Sequence, residues 1–285
     1  MSRHGFAAFC AFALCFVFPV LPVHAQASAP APATASQPLS IGETFTLDSK
    51  VMGETRRINV YLPAGYHERP DARVPVIYMP DGGLAEDFLH VAGLMQVSMG
   101  NGTMRPFMLV GIENTQRRRD MTGPTEVAAD RKIAPVVGGS ATFRAFIRDE
   151  LMPEIDRRYR TTGETAIVGE SAAGLFIMET LVLAPDMFDA YIAIDPSLWW
   201  NDRALAKSFG AFLEANPGLK TRLFIAHSGE PSIANVVKTL PAMLEASAPK
   251  GLRWHVLPLP EETHATVYHP AALRAFRLLF APDTE

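Results

Sequence analysis

A chain of 285 residues, 48% of them apolar, can bury one large core or two small ones. Its formal net charge of −4 excludes the strongly basic surface that nucleic acid or an anionic membrane would require of a partner. Both cysteines, Cys10 and Cys15, fall in the first 25 residues, which excludes disulfide, thiol and thiolate–metal chemistry from the rest of the chain.

In chain order, Arg3 and His4 precede a nearly unbroken apolar run from Phe6 to Leu21, and Val23-His24-Ala25 places small residues where a signal peptidase cuts. Residues 1–25 are therefore expected to be a signal peptide cleaved after Ala25. The apolar run is shorter than the ~20 residues that span a bilayer, so no stable membrane insertion is expected after cleavage. The periplasm or the medium is the expected location. Residues 26–39 are rich in Ala, Pro, Ser and Thr and are expected to be a linker, with one domain over 40–285.

Within that domain Phe45–Val51 and Arg57–Leu62 are expected to form an opening strand pair turned at Met52-Gly53-Glu54. The short apolar runs Val74–Met79 and Met108–Ile112 suit buried strands, with a helix over Leu84–Met99 between them. A second helical pattern covers Ala141–Tyr159, bent at Pro153. A strand then ends at Gly169 and a helix follows. Ala190–Ile194, Arg222–Ala226 and Trp254–Leu259 are further strands, each followed by a helical pattern, the last being Ala271–Phe280. Alternation of this kind implies a mainly parallel sheet covered by helices on both faces, with an antiparallel start. Chemistry in such sheets gathers beyond the carboxyl ends of the strands, so a functional residue is expected just after a strand.

Ser171, in TAIVGESAAGLF, meets that expectation. The segment reads Gly-x-Ser-x-Ala, in which Gly169 and Ala173 are small enough for a tight strand-to-helix turn that exposes the hydroxyl. A helix N-cap is the alternative role for this serine. A nucleophilic serine needs a base, a group to orient the base and donors for an oxyanion. His264, in the loop between the last strand and the last helix, is the expected base, with His269 as runner-up. Glu230, after RLFIA, is the expected orienting acid, with Asp195, after AYIAI, as its competitor. Backbone N–H groups of Ala172 and of Gly83, in the Pro80-Asp81-Gly82-Gly83 turn, are the expected oxyanion donors, with Gly82 the alternative to Gly83.

Arg117, Arg118 and Arg119 follow the Met108–Ile112 strand, and Trp199 and Trp200 follow Ala190–Ile194. The arginines could hold an anionic acyl or catecholate group, Arg119 having Asp120 as a structural alternative, and the tryptophans could wall an acyl group. His264 and His269 form no recognised zinc pattern, and neither a phosphate loop nor a dinucleotide fingerprint is present, so no metal or cofactor is expected.

The motifs INVYLPAGY, VIYMPDGG, NTQRRRDMTG, FRAFIRDELMPEIDRRYR, GESAAGLF, AYIAIDPSLWW and ETHATVYHPAALRAFRLLF together resemble the esterase D-like branch of the α/β-hydrolases, in particular siderophore esterases of the ferri-bacillibactin and salmochelin type. The resemblance implies the α/β-hydrolase fold and hydrolysis of a small-molecule ester by a serine enzyme without a cofactor. Glu170 stands where that family commonly has histidine, Ala173 where it has glycine, and Asp195 where it has serine. Some such esterases use only a Ser–His dyad. An acyltransferase of the same fold and a non-catalytic exported binding protein are the alternative functions.

Expressed with its leader in an export-competent bacterial host, the mature protein is expected to begin at Gln26. N-terminal peptide mass spectrometry checks this; retention of Met1–Ala25 on the exported protein contradicts it.

Overall fold

The computed structural model describes residues 39–282, so the expected leader and nearly all of the expected linker lie outside the described residues. The apolar and β-branched runs form β1 (Glu43–Ser49), β2 (Glu54–Tyr61), β3 (Val74–Pro80), β4 (Met108–Ile112), β5 (Thr161–Glu170), β6 (Ala190–Ile194), β7 (Arg222–His227) and β8 (Arg253–Pro258). They make one sheet in the order β1-β2-β4-β3-β5-β6-β7-β8. The β1–β2 and β2–β4 pairs are antiparallel, and every later pair is parallel. This is the α/β-hydrolase layout expected from the sequence.

Around the sheet lie α1 (Phe88–Gly100), α2 (Arg117–Met121), α3 (Ala128–Ile133), α4 (Ser140–Phe146), α5 (Met152–Arg158), α6 (Ala172–Leu183), α7 (Trp200–Ala215), α8 (Pro231–Val237), α9 (Leu240–Ser247) and α10 (Tyr268–Leu279). Among the described residues, no helix is long and apolar enough to cross a membrane.

Every residue of β3, β4 and β6 is buried, which explains why these strands are continuous apolar runs instead of alternating ones. Successive side chains still divide between the faces. Val76, Tyr78, Val110 and Ile167 join Phe176 and Ile177 of α6 in one core, while Ile77, Met79, Leu109 and Val168 join Phe88 of α1 and Phe276 of α10 in the other.

Two helices differ from expectation. The one expected from Leu84 begins at Phe88, because Asp81–Asp87 folds into a turn closed by bonds from Glu86 N–H to Gly83 O and from Asp87 N–H to Asp81 O. The long segment over Ala141–Tyr159 is interrupted by a π-helical turn at Ile147–Leu151. Widening there absorbs the missing N–H of Pro153 in the first turn of α5, one turn before the bend the sequence suggested.

The loop NTQRRRD, at the carboxyl end of β4, also holds short helix α2. It is anchored by Arg56 of β2, which is buried with its guanidinium on the buried Asp120 carboxylate and within 5.1 Å of the Phe143 ring centre. Truncating one partner of a buried pair leaves the other charge without compensation. Arg56→Ala is therefore expected to cost about 3 kcal/mol in urea unfolding. Arg57→Ala, which removes an exposed pair with Glu113, should cost less than about 1 kcal/mol.

Candidate active site

Between β5 and α6 the backbone turns at a single residue. Ser171 has φ 61° and ψ −117°, a conformation that a non-glycine residue adopts only when its surroundings impose it. Its N–H donates to the carbonyl of Ile194 at 3.0 Å, tying the turn to the end of β6. The close approach explains the small neighbours. A Cβ at position 169 would stand 2.6 Å from the Ala173 Cβ, and one at 174 would stand 2.9 Å from the Ile194 carbonyl oxygen. Ala173 fits where glycine is commoner because the residue it faces is Gly169.

His264 lies in the loop between β8 and α10, as expected, and its Nε2 is 3.1 Å from Ser171 Oγ. Its Nδ1 is 2.7 Å from Asp195 Oδ2. Asp195 is fully buried, so an ionised carboxylate there must accept, and Nδ1 must carry the proton. Nε2 is thereby left as the acceptor for the serine hydroxyl. Asp195 also accepts from Ser228 N–H at 2.7 Å and from Ser228 Oγ at 2.8 Å. Burial pushes its carboxyl pKa up, but the bonds from His264 and Ser228 outweigh burial and leave it below the usual value. The bond to Asp195 in turn raises the His264 pKa, against burial, with the charges of Glu170, Asp195 and Glu230 adding to the rise.

The expectation for Glu230 is corrected by this geometry. Glu230 stands exposed at the start of α8, where its Oε1 accepts from Ser232 Oγ at 3.2 Å, and it makes no hydrogen bond to His264 among the described residues. Asp195, the first residue beyond β6, holds the imidazole instead. Position after the strand was the available signal: Asp195 follows its strand directly, whereas Ser228 and Gly229 separate Glu230 from β7.

The expectation for Gly83 is also corrected. Its N–H donates to Glu86 Oε2 at 2.6 Å, and Gly83 does not line the cavity at Ser171. Gly82 is no substitute, since its N–H bonds to the Ile112 carbonyl at 2.9 Å. Ala172 lies in the first turn of α6, where N–H groups lack intrahelical acceptors, and it lines the cavity.

That cavity, of about 500 Å³, is lined by Ser171 and His264 together with Arg117, Arg118, Trp199 and Trp200. The three arginines have different surroundings. Arg117 makes a two-point bond to Asp81, at 2.6 and 2.7 Å. Arg119 turns away to Glu54 and Asp120, which corrects the expectation that it reaches substrate. Arg118, exposed on the cavity wall, forms no ion pair among the described residues. Trp200 is buried, with its indole N–H directed at the Gly123 carbonyl, and Trp199 is half-buried beside it. Donor atoms of Glu170, Asp195 and His264 lie within 4.8 Å of one another, but those of Asp195 and His264 are engaged with each other.

Comparison with known proteins places the chain in a wider group. Residues 49–250 match a family described as "Putative esterase". The chain is 27% identical to the ferri-bacillibactin esterase BesA of Bacillus subtilis (strain 168), over 81% of this chain and 87% of that protein. It is 29% identical to the siderophore triacetylfusarinine C esterase of Aspergillus fumigatus, over 69% of this chain and 67% of the other. Among solved structures, an IroE-like serine hydrolase from Shewanella oneidensis superposes with a TM-score of 0.76 at 31% identity, covering 84% of this chain and 80% of its own.

Asp195→Asn keeps the shape of the acid but removes its charge, and it should lower kcat for a p-nitrophenyl ester by roughly 10³–10⁴. Glu230→Ala should lower it by no more than a few-fold. Steady-state kinetics on the two purified variants separates these effects.

Proposed function

The chain belongs to the "Putative esterase" family and is a carboxylic ester hydrolase; on that premise we propose that it works after export, through an acyl-enzyme on Ser171. The observation that carries this reading is the unbroken run of contacts from Ser171 Oγ through the His264 ring to buried Asp195. As Oγ attacks the ester carbonyl, its proton passes to His264 Nε2, and the imidazolium is held by Asp195. Negative charge on the former carbonyl oxygen is stabilised by the Ala172 N–H and by the N-terminal end of α6. The proton then moves from Nε2 to the departing alcohol, and His264 activates a water that releases the acid. Every step uses groups of the protein and water.

The cavity supports siderophore esters or aromatic acyl esters as the substrate. Trp199 and Trp200 offer an aromatic wall, and Arg118 offers a guanidinium not committed to a carboxylate among the described residues. Arg117 has a different place, since its charge is met by Asp81. It lines the cavity and holds the Asp81 turn. The names of two relatives support siderophore esters, one being a ferri-bacillibactin esterase and the other a siderophore triacetylfusarinine C esterase. The apolar leader read in residues 1–25 supports export.

Ser171→Ala is expected to reduce turnover of p-nitrophenyl butyrate to background with an unchanged far-UV spectrum; full activity in that variant contradicts the proposal. Kinetics on short p-nitrophenyl esters, feruloyl esters and trilactone siderophores tests the substrate class. Arg118→Ala should raise KM about tenfold for catecholate-bearing esters, the loss of roughly one charge-assisted bond, and less for neutral ones.

A further inference from the structure

Glu170, the residue before the nucleophile, has no part in the steps above, yet its carboxylate is built into the site. Its Oε1 is buried and has no hydrogen-bond partner among the described residues. It lies 4.0 Å from His264 Nδ1, on the atom that already faces Asp195. The side chain is half-buried, yet a carboxylate oxygen shut off from water without a donor is costly.

We propose that Glu170 is a positioning residue of the esterase, a second carboxylate that acts on His264 through space and governs the pH range in which the imidazole serves as base. The proposal rests on the assignment of Ser171 and His264 made above. Groups from every neighbouring element set its charge. Asp195 faces it from just beyond β6, Asp87 from the turn before α1, Arg117 from α2 and His264 from the loop after β8. Tyr268 of α10 lies in the same field, with a buried hydroxyl that also lacks a partner among the described residues. Burial foremost, with Asp87 and Asp195, pushes the Glu170 carboxyl up to about 7, against His264 and Arg117. Glu170 and His264 therefore titrate as a linked pair, the ionised carboxylate and the protonated imidazole each favouring the other.

The consequence has a definite sign. Ionised Glu170 favours the protonated imidazole, both the one formed when Ser171 gives up its proton and the one present in the resting enzyme. Catalysis starts from neutral His264. Removing the charge should let the imidazole lose its proton at lower pH, while making the imidazolium of the transition state less stable. The two groups, being coupled, lose their protons in two joint steps.

Glu170→Gln tests this with size and shape kept. Its kcat/KM profile for a p-nitrophenyl ester should have an acid limb about one pH unit lower than that of the wild type, a tenfold change in proton affinity. The limb should narrow to a single step, and plateau kcat should fall about tenfold. An acid limb coincident with that of the wild type, or shifted to higher pH, overturns the proposal. A second measurement does not depend on turnover or on the folding of that variant. In Ser171→Ala, a ¹⁵N NMR titration of the His264 ring should show two inflections from coupling to Glu170. A single inflection overturns the proposal. Failure of the catalytic assignment itself would appear separately, as residual turnover by Ser171→Ala.

Discussion

The site depends on a buried carboxylate that is fully spoken for. Asp195 leaves water completely and is held ionised by three donors, one from His264 and two from Ser228. Desolvation of this size is tolerable only when each lone pair that matters is met. The His264 tautomer follows from that requirement, because an ionised acid can accept only from a protonated Nδ1. The tautomer leaves Nε2 as an acceptor facing the Ser171 hydroxyl. Ser228 thus has a role that no motif announces: it allows Asp195 to stay charged in the protein interior.

The sheet order makes this arrangement reachable. Strands β5 and β6 are neighbours, so Ser171 and Asp195 emerge side by side, and the Ser171 N–H closes onto the last residue of β6. Three non-glycine residues with positive φ stand directly beyond strand ends: Asp81 after β3, Ser171 after β5 and Asp195 after β6. Backbone strain thus recurs along the carboxyl edge of the sheet, where side chains must be turned toward one another, and again at Asn201, Asp202 and Arg203 in α7. Asp81 uses its turn to hold Arg117, and through it one wall of the cavity.

Much of this was legible before folding. The fully buried strands were visible as unbroken apolar runs, and the elbow as small residues spaced about one serine. His264 was visible from its place between the last strand and last helix. Elsewhere the sequence pattern misled for physical reasons. Glu230 is the only carboxylate in the turn after β7, but the chain there enters α8 and leaves its side chain in solvent. Gly83 has the freedom expected of an oxyanion donor, yet a carboxylate three residues on folds back to take its N–H. Among three consecutive arginines, charge alone could not tell which was committed. Asp120, the neighbour of Arg119, was legible as its partner, but the distant partners Asp81 and Glu54 complete the division, and pairings of that range are not written in local spacing.

The central claim is that Ser171 is made nucleophilic by an imidazole whose orientation is fixed by Asp195. Covalent capture tests it most directly. Protein treated with a fluorophosphonate at neutral pH, digested and mapped by mass spectrometry, should carry one adduct, on Ser171. The labelling rate should collapse when His264 is replaced by alanine. Absence of an adduct on Ser171, or labelling at an undiminished rate without His264, would contradict the account.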